Sequence, residues 1–240
     1  MSVHLVGGGW SPASSAAVYS AFLAEAAVVA HGSDRADAPR IAIVVVRGAD
    51  GVEHAAKLIE AVSTAGAFEP FVTAVSETAE VPLAAFVDVD GILVGGGITP
   101  AYRAALAGRF GEIRRQVASG VPYLGFSAGA SIAAERAVVG GWRIGGVEVS
   151  QEGGAENLDE VTVEQGIGLV DVAIDVHAAQ WGSLSRLVAA VEAGLVDGGL
   201  AIDENTALIV GDSGLRVVGA GSVWRVIPAE NGVLVSTIGV

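Results

Sequence analysis

The chain has 240 residues, 52% of them hydrophobic and 17% charged, with a net charge of −14 and no cysteine. That composition is globular, with ample apolar surface for a core, and it excludes disorder, disulfides and cysteine-ligated metal chemistry. The negative charge sets the surface against phosphate backbones and anionic lipid, which argues against nucleic-acid and membrane-surface partners.

The start, MSVHLVGGGW, carries no basic flank and no long apolar segment, unlike a secretory signal. No apolar run reaches the ~18–20 residues of a membrane span, so the expectation is a cytoplasmic protein. Residues 3–6 read as a short strand ending in the glycine run 7–9. Ser11 and Pro12 then open a helix, since serine can cap free N–H groups and proline fits the first turn. It stops near Gly32, and the polar loop SDRADAPR leads into IAIVVV, residues 41–46. A run apolar at every position suits a strand covered on both faces. A helix over about 52–65 and a strand over 71–75 follow. Residues 90–94 form a strand that ends in a second glycine run, 95–97. Thr99 and Pro100 open a helix to about residue 119, and 121–126 is the next strand. This alternation predicts an α/β fold with a mostly parallel sheet between helical layers, whose ligands bind beyond the carboxyl ends of the strands.

The second half is less regular. Residues 142–149 alternate like a strand, 150–159 read as a loop, 161–175 hold one or two strands, and 184–193 form a helix. From residue 200 the short apolar runs LAID, TALIVG, LRVVG, SVWRVI and GVLVSTI, separated by turns, predict antiparallel hairpins at the C-terminal end. No composition break marks a boundary, so residues 1–240 are read as a single domain.

Gly125-Phe126-Ser127-Ala128-Gly129 fits G-x-S-x-G, with VPYLGF before it as a strand and AGASIAAERA after it as a helix. That context suits a nucleophile on a strained strand-to-helix turn, facing the positive end of a helix. The competing reading is an ordinary serine at a helix start. A serine nucleophile needs a base. Of the four histidines, His177 follows a strand at a carboxyl end, in DVHAAQW, on the same edge as Ser127. Oxyanion donors could come from Gly95, Gly96 and Gly97 and from the Ala128 N–H. The first glycine run faintly resembles a dinucleotide loop, but Pro12 stands where the third glycine belongs.

LVGGGITPAYRAAL, GVPYLGFSAGASIAA, DVHAAQWGSLSRL and AIDENTALIV, in that order, resemble the cyanophycinase and peptidase E family of serine peptidases, over about residues 3–226. The resemblance implies a three-layer αβα sandwich like class I glutamine amidotransferase domains. It implies Ser127 as nucleophile, His177 as base and an oxyanion hole near Gly96, without cofactor or metal. Known members cleave peptide bonds next to aspartate, so a small peptide or amide-linked dipeptide is the expected substrate, and relatives suggest a homodimer. The family's acid falls some 15 to 18 residues after the serine. That window, 142–145, holds no carboxylate; Glu148 is the nearest fit and Glu152 the next, while Asp175 could orient His177 instead. Where the family carries Asp-Gln or Asn-Thr after the second glycine run, Ile98-Thr99 stand here. Val176, Ala178, Trp181 and Ser183 replace the Gln, Phe and arginines expected of a cyanophycinase. A chain without the acid would be a slow enzyme or a small-molecule-binding protein, and that alternative stands beside the hydrolase.

Overall fold

The computed structural model describes residues 2–33, 38–212 and 214–239, so half of the expected polar loop at 33–40 lies outside the described residues. In chain order the first half contains β1 (Ser2–Val6), α1 (Pro12–Gly32), β2 (Arg40–Val46), α2 (Gly51–Ser63), β3 (Glu69–Val75), β4 (Gly91–Val94), α3 (Thr99–Leu106), α4 (Phe110–Ala118), β5 (Tyr123–Phe126) and α5 (Ala128–Ser131). The second half contains β6 (Arg136–Gly140), β7 (Arg143–Ile144), β8 (Val147–Glu148), β9 (Thr162–Gln165), β10 (Ala173–Val176), α6 (Leu184–Glu192), β11 (Gly199–Ile202), β12 (Thr206–Gly211), β13 (Gly214–Gly219), β14 (Val223–Ala229) and β15 (Gly232–Ile238).

Seven strands form the main sheet in the order β13-β12-β1-β5-β4-β2-β3. The five from β1 to β3 run parallel, and the β12–β13 hairpin extends the sheet antiparallel to β1. Side chains of a strand alternate between faces. On β2, Ile41, Ile43 and Val45 pack with Phe22 and Leu23 of α1 and Leu58 of α2. Ala42, Val44 and Val46 pack on the other face with Tyr102 of α3 and Ile113 of α4. The expected layering of helices about a mostly parallel sheet is therefore present. A second sheet, in the order β10-β11-β14-β15, begins with the parallel pair β10–β11 and continues antiparallel. The predicted C-terminal hairpins are thus shared between two sheets.

Three sequence expectations are corrected. The helix expected over 99–119 is broken by a 3-10 turn at Ala107–Arg109, where Gly108 weakens the helix, and resumes as α4. The helix read after Ser127 is a single turn. Beyond it, the carbonyls of Ile132, Ala133 and Ala134 take hydrogen bonds from Ile167, Leu169 and Gly168, a tertiary pairing that overrides helix propensity. Finally, α1 at 21 residues is long and apolar enough, by length and composition, to cross a membrane. It lies on the main sheet, burying Val18, Tyr19, Phe22 and Leu23.

Candidate active site

Ser127 stands between the end of β5 and the start of α5 with φ 53 and ψ −111, a left-handed backbone that non-glycine residues adopt at a cost. Its N–H donates to the Val6 carbonyl at 2.9 Å, while its own carbonyl accepts the N–H groups of Ala130 (2.8 Å) and Ser131 (3.1 Å). The flanking glycines answer a steric demand. A Cβ at position 125 would lie 2.3 Å from the Gly129 carbonyl oxygen, and one at 129 would lie 2.2 Å from the Val94 oxygen. Tyr123 is fully buried, and its hydroxyl donates to that Gly129 carbonyl at 2.7 Å.

His177 follows β10, also with positive φ, at 56. Its N–H donates to the Gly7 carbonyl at 3.1 Å, which ties the second sheet to the end of β1 beside β5. The imidazole Nε2 is 2.8 Å from Ser127 Oγ. Nδ1 is 2.7 Å from Glu204 Oε1. A carboxylate only accepts, so Nδ1 carries the proton and Nε2 accepts from the serine. Burial lowers the His177 pKa, and the Glu204 carboxylate acts against that shift. At neutral pH the ring is therefore neutral and free to accept a proton. One ring face stacks on Trp181, with centroids 3.8 Å apart and planes 7° apart. Gly8 makes room for the same ring, since a Cβ there would come within 2.1 Å of Cε1. The glycine run with the faint look of a dinucleotide loop thus serves as a seat for His177.

The carboxylate on His177 is Glu204, in the segment after β11, and not Glu148. Glu148 is exposed on the β7–β8 hairpin and pairs with Arg143 at 3.5 Å. Glu152 makes no bond to His177, although it borders the same cavity. Asp175 is occupied by a buried, two-pronged contact with Arg186, at 2.9 and 2.7 Å. That guanidinium also holds the carbonyls of Gly141 and Gly154, so the pair anchors a loop to β10. Parallel pairing explains the place of Glu204. Val176 is opposite Ile202, so the chains leaving β10 and β11 emerge side by side at one edge.

The residues of the IDENTA string from Ile202 to Thr206 each have a physical task. Ile202 is buried in the main core. Asp203 accepts the N–H groups of Ala179 (3.1 Å) and Ser222 (2.9 Å) and the Trp224 indole N–H (3.0 Å). Asn205, at φ 58, donates its N–H to the Gly8 carbonyl and accepts the Ser11 N–H at 2.8 Å. Thr206 donates its hydroxyl to the Glu204 carbonyl and accepts the Gly221 N–H.

Gly96 abuts Ser127, since a Cβ on it would lie 2.9 Å from the serine Cβ. Its N–H, expected among the oxyanion donors, is directed at Nε2 of His54 at 3.3 Å. Its carbonyl accepts from Arg47 (2.9 Å) and the Tyr102 hydroxyl (3.0 Å). A trans peptide points its N–H away from its C=O, so this pull turns the Gly97 N–H the opposite way. Neither the Gly97 nor the Ala128 N–H is engaged by another backbone group among the described residues. His54 itself packs edge-on to Trp10, and burial followed by the nearby Arg47 guanidinium lowers its pKa to about 4. Gly96, Gly97, His54 and Trp10 border a cavity of about 570 Å³ together with Ser127 and His177. Among the described residues no cluster of three or more His, Cys, Asp or Glu forms a metal site. Sequence reasoning missed Glu204, His54 and Trp10. Of these Glu204 had a signal, a polar triplet at the carboxyl end of a short apolar strand.

Residues 54–218 match the model of peptidase family S51. The chain belongs to that family. It is 36% identical over 122 residues to a cyanophycinase of Synechococcus elongatus, a match covering 50% of this chain and 35% of the relative. It is 34% identical over 121 residues to a cyanophycinase of Trichormus variabilis, covering 49% and 38%. The match thus spans little more than a third of the length of these curated relatives. Among solved structures, a peptidase from an acI-B1 Actinobacterium superposes with a TM-score of 0.64 at 19% identity, covering 100% of this chain and 96% of the other. A putative peptidase E protein from Listeria monocytogenes EGD-e gives 0.55 at 15% identity, covering 92% and 98%. At those identities the likeness establishes the fold of this S51 chain.

Proposed function

We propose that this S51 chain is a serine peptidase acting on small peptides. The carrying observation is the unbroken relay from Ser127 Oγ to His177 Nε2 and from Nδ1 to Glu204. Ser127 Oγ attacks the scissile carbonyl while its proton passes to Nε2. The oxyanion so formed is held by the N–H groups of Ala128, at the start of α5, and Gly97. As the C–N bond breaks, Nε2 returns the proton to the leaving nitrogen. Water, deprotonated by the same imidazole, then hydrolyses the acyl-enzyme. Base catalysis of this kind supplies about 10²–10⁴ in rate, and each oxyanion donor a further ~10²–10³. Glu204 keeps the imidazole in the accepting tautomer and stabilises the imidazolium that forms. The case for a binding protein rested on a missing acid and on the replaced substrate residues, and the Glu204 carboxylate on His177 supports the hydrolase on the first of these.

The test is covalent labelling by a fluorophosphonate. Wild type should be labelled stoichiometrically and Ser127→Ala not at all. Folded wild-type protein that resists labelling would defeat the proposal.

A further inference from the structure

The resemblance leads one to expect an acidic side chain beside the scissile bond, but the walls of the cleft have the wrong charge for one. Its basic groups are already committed. Arg47 gives Nε and a terminal nitrogen to Asp50 and its other terminal nitrogen to the Gly96 carbonyl. Lys57 Nζ is 2.9 Å from Glu53. Three further carboxylates border the cavity, Glu77, Glu152 and Glu156, and none makes an ion pair among the described residues. Glu156 lies deepest. One of its oxygens accepts the Thr99 N–H at 3.1 Å, and burial raises its pKa while that N–H and the Arg186 guanidinium act to lower it.

Two indoles stand among these polar groups. Trp10 is 43% exposed and Trp181 is 42% exposed. Trp10 lies against Phe126, the residue before the serine, with ring centroids 4.6 Å apart, and Trp181 covers His177. Two exposed indoles therefore flank the reacting hydroxyl. Trp10 also walls a smaller hollow of about 280 Å³ between α1 and α2, lined by Pro12 and Ala61 and by the polar Ser15, Lys57, Glu60 and Thr64. Exposed tryptophan is enriched where a partner buries it. Carboxylates outside any direct ion pair penalise an anionic ligand, because like charges brought together in a partly desolvated cleft repel.

Building on the serine-peptidase reading, we propose that this cleft selects a peptide with an apolar or aromatic side chain beside the scissile carbonyl and rejects aspartate and glutamate. Trp10 supplies the apolar contact, and Glu156 together with Glu77 and Glu152 supplies the repulsion.

The test separates recognition from chemistry by using the Ser127→Ala variant, which cannot turn over its ligand. Calorimetry would compare the tetrapeptides Ala-Phe-Ala-Ala and Ala-Asp-Ala-Ala. The phenylalanine peptide should bind at least about tenfold more tightly. Adding Glu156→Gln, which keeps an acceptor for the Thr99 N–H, should narrow that ratio severalfold. Adding Trp10→Ala should weaken the phenylalanine peptide alone, with Trp10→Phe restoring most of its affinity and guarding against a folding defect. Equal or tighter binding of the aspartate peptide overturns the proposal, and so does binding of neither below about 1 mM, the weak end of ordinary substrate affinities. Fluorophosphonate labelling of wild type is scored separately, so a failure of the peptidase reading stays distinct from a failure of this one.

Discussion

Replacing Glu204 with Gln should slow the reaction of Ser127 while leaving the serine in place. The substitution removes the charge from the acceptor of a 2.7 Å hydrogen bond donated by His177 Nδ1. A hydrogen bond to a charged group is worth about 1.5–3 kcal/mol, which at about 1.4 kcal/mol per decade is roughly 10- to 150-fold in rate. The ceiling for a triad acid is about 10⁴. The Glu204 side chain is 24% exposed, so water takes over part of its work and the lower range applies. The pH profile gives an independent sign. Reaction needs a neutral His177, whose pKa burial holds below the ordinary histidine value while Glu204 pulls it up. Removing that carboxylate weakens the imidazolium, so the acid limb of the profile moves to lower pH as the plateau falls. The assay is the pseudo-first-order rate of fluorophosphonate labelling measured as a function of pH. Glu148→Gln, on an exposed hairpin, should stay within about twofold of wild type. A Glu204→Gln plateau within twofold of wild type, or an acid limb moved upward, would refute the relay.

Gly129→Ala drives a Cβ to 2.2 Å from the Val94 oxygen, at a cost of about 3 kcal/mol, the upper range for overpacking; calorimetry should show Tm about 6–12 °C lower, and an unchanged Tm would contradict the steric account. Asp203→Ala strands three N–H donors and should cost about 3 kcal/mol or more in urea unfolding, whereas Asp203→Asn, which keeps one acceptor oxygen, should cost about half as much. His54 has a pKa near 4 when folded against 6.5 ordinarily. On acidification the unfolded chain takes up that proton first, so its contribution is full above pH 6.5 and declines as pH falls to 4. With allowance for the solvent-facing part of the ring, this is on the order of 1–2 kcal/mol. The stability advantage of wild type over His54→Asn should shrink across that window, and a constant difference would count against it.

The parts of the fold that could be read from the sequence are those governed by local rules. Ile41 to Val46 had to be a two-sided strand because every residue is apolar, and it lies inside the main sheet. Ser127 could be located because the steric demand on its flanking glycines is local: both clashes involve atoms of the same turn or of the adjacent β4 end. Long-range pairing was out of reach. AGASIAAERA has the composition of a helix, yet its carbonyls are claimed by residues 167–169, more than thirty positions away. The hairpin runs after residue 200 were recognised one by one, but nothing in their pattern divides them between two sheets.

Glu204 shows the same limit at the level of chemistry. Counting forward from the serine searches along the chain, whereas the relay is closed across a sheet. Its acid is reached through β11, which pairs with the strand that carries the histidine. The carboxylate nearest the expected spacing, Glu148, belongs to an exposed hairpin, and the one two residues before the histidine, Asp175, is held by Arg186. Strand ends at a common edge are therefore a better search space than spacing along the chain. In this protein the two residues beside that edge, Asp203 and Asn205, fix the main chain on either side of Glu204. Loss of either should loosen the carboxylate without touching it, so a fall in labelling rate at Asn205→Ala with the Ser127 to His177 hydrogen bond intact would mark the segment as one positioning unit.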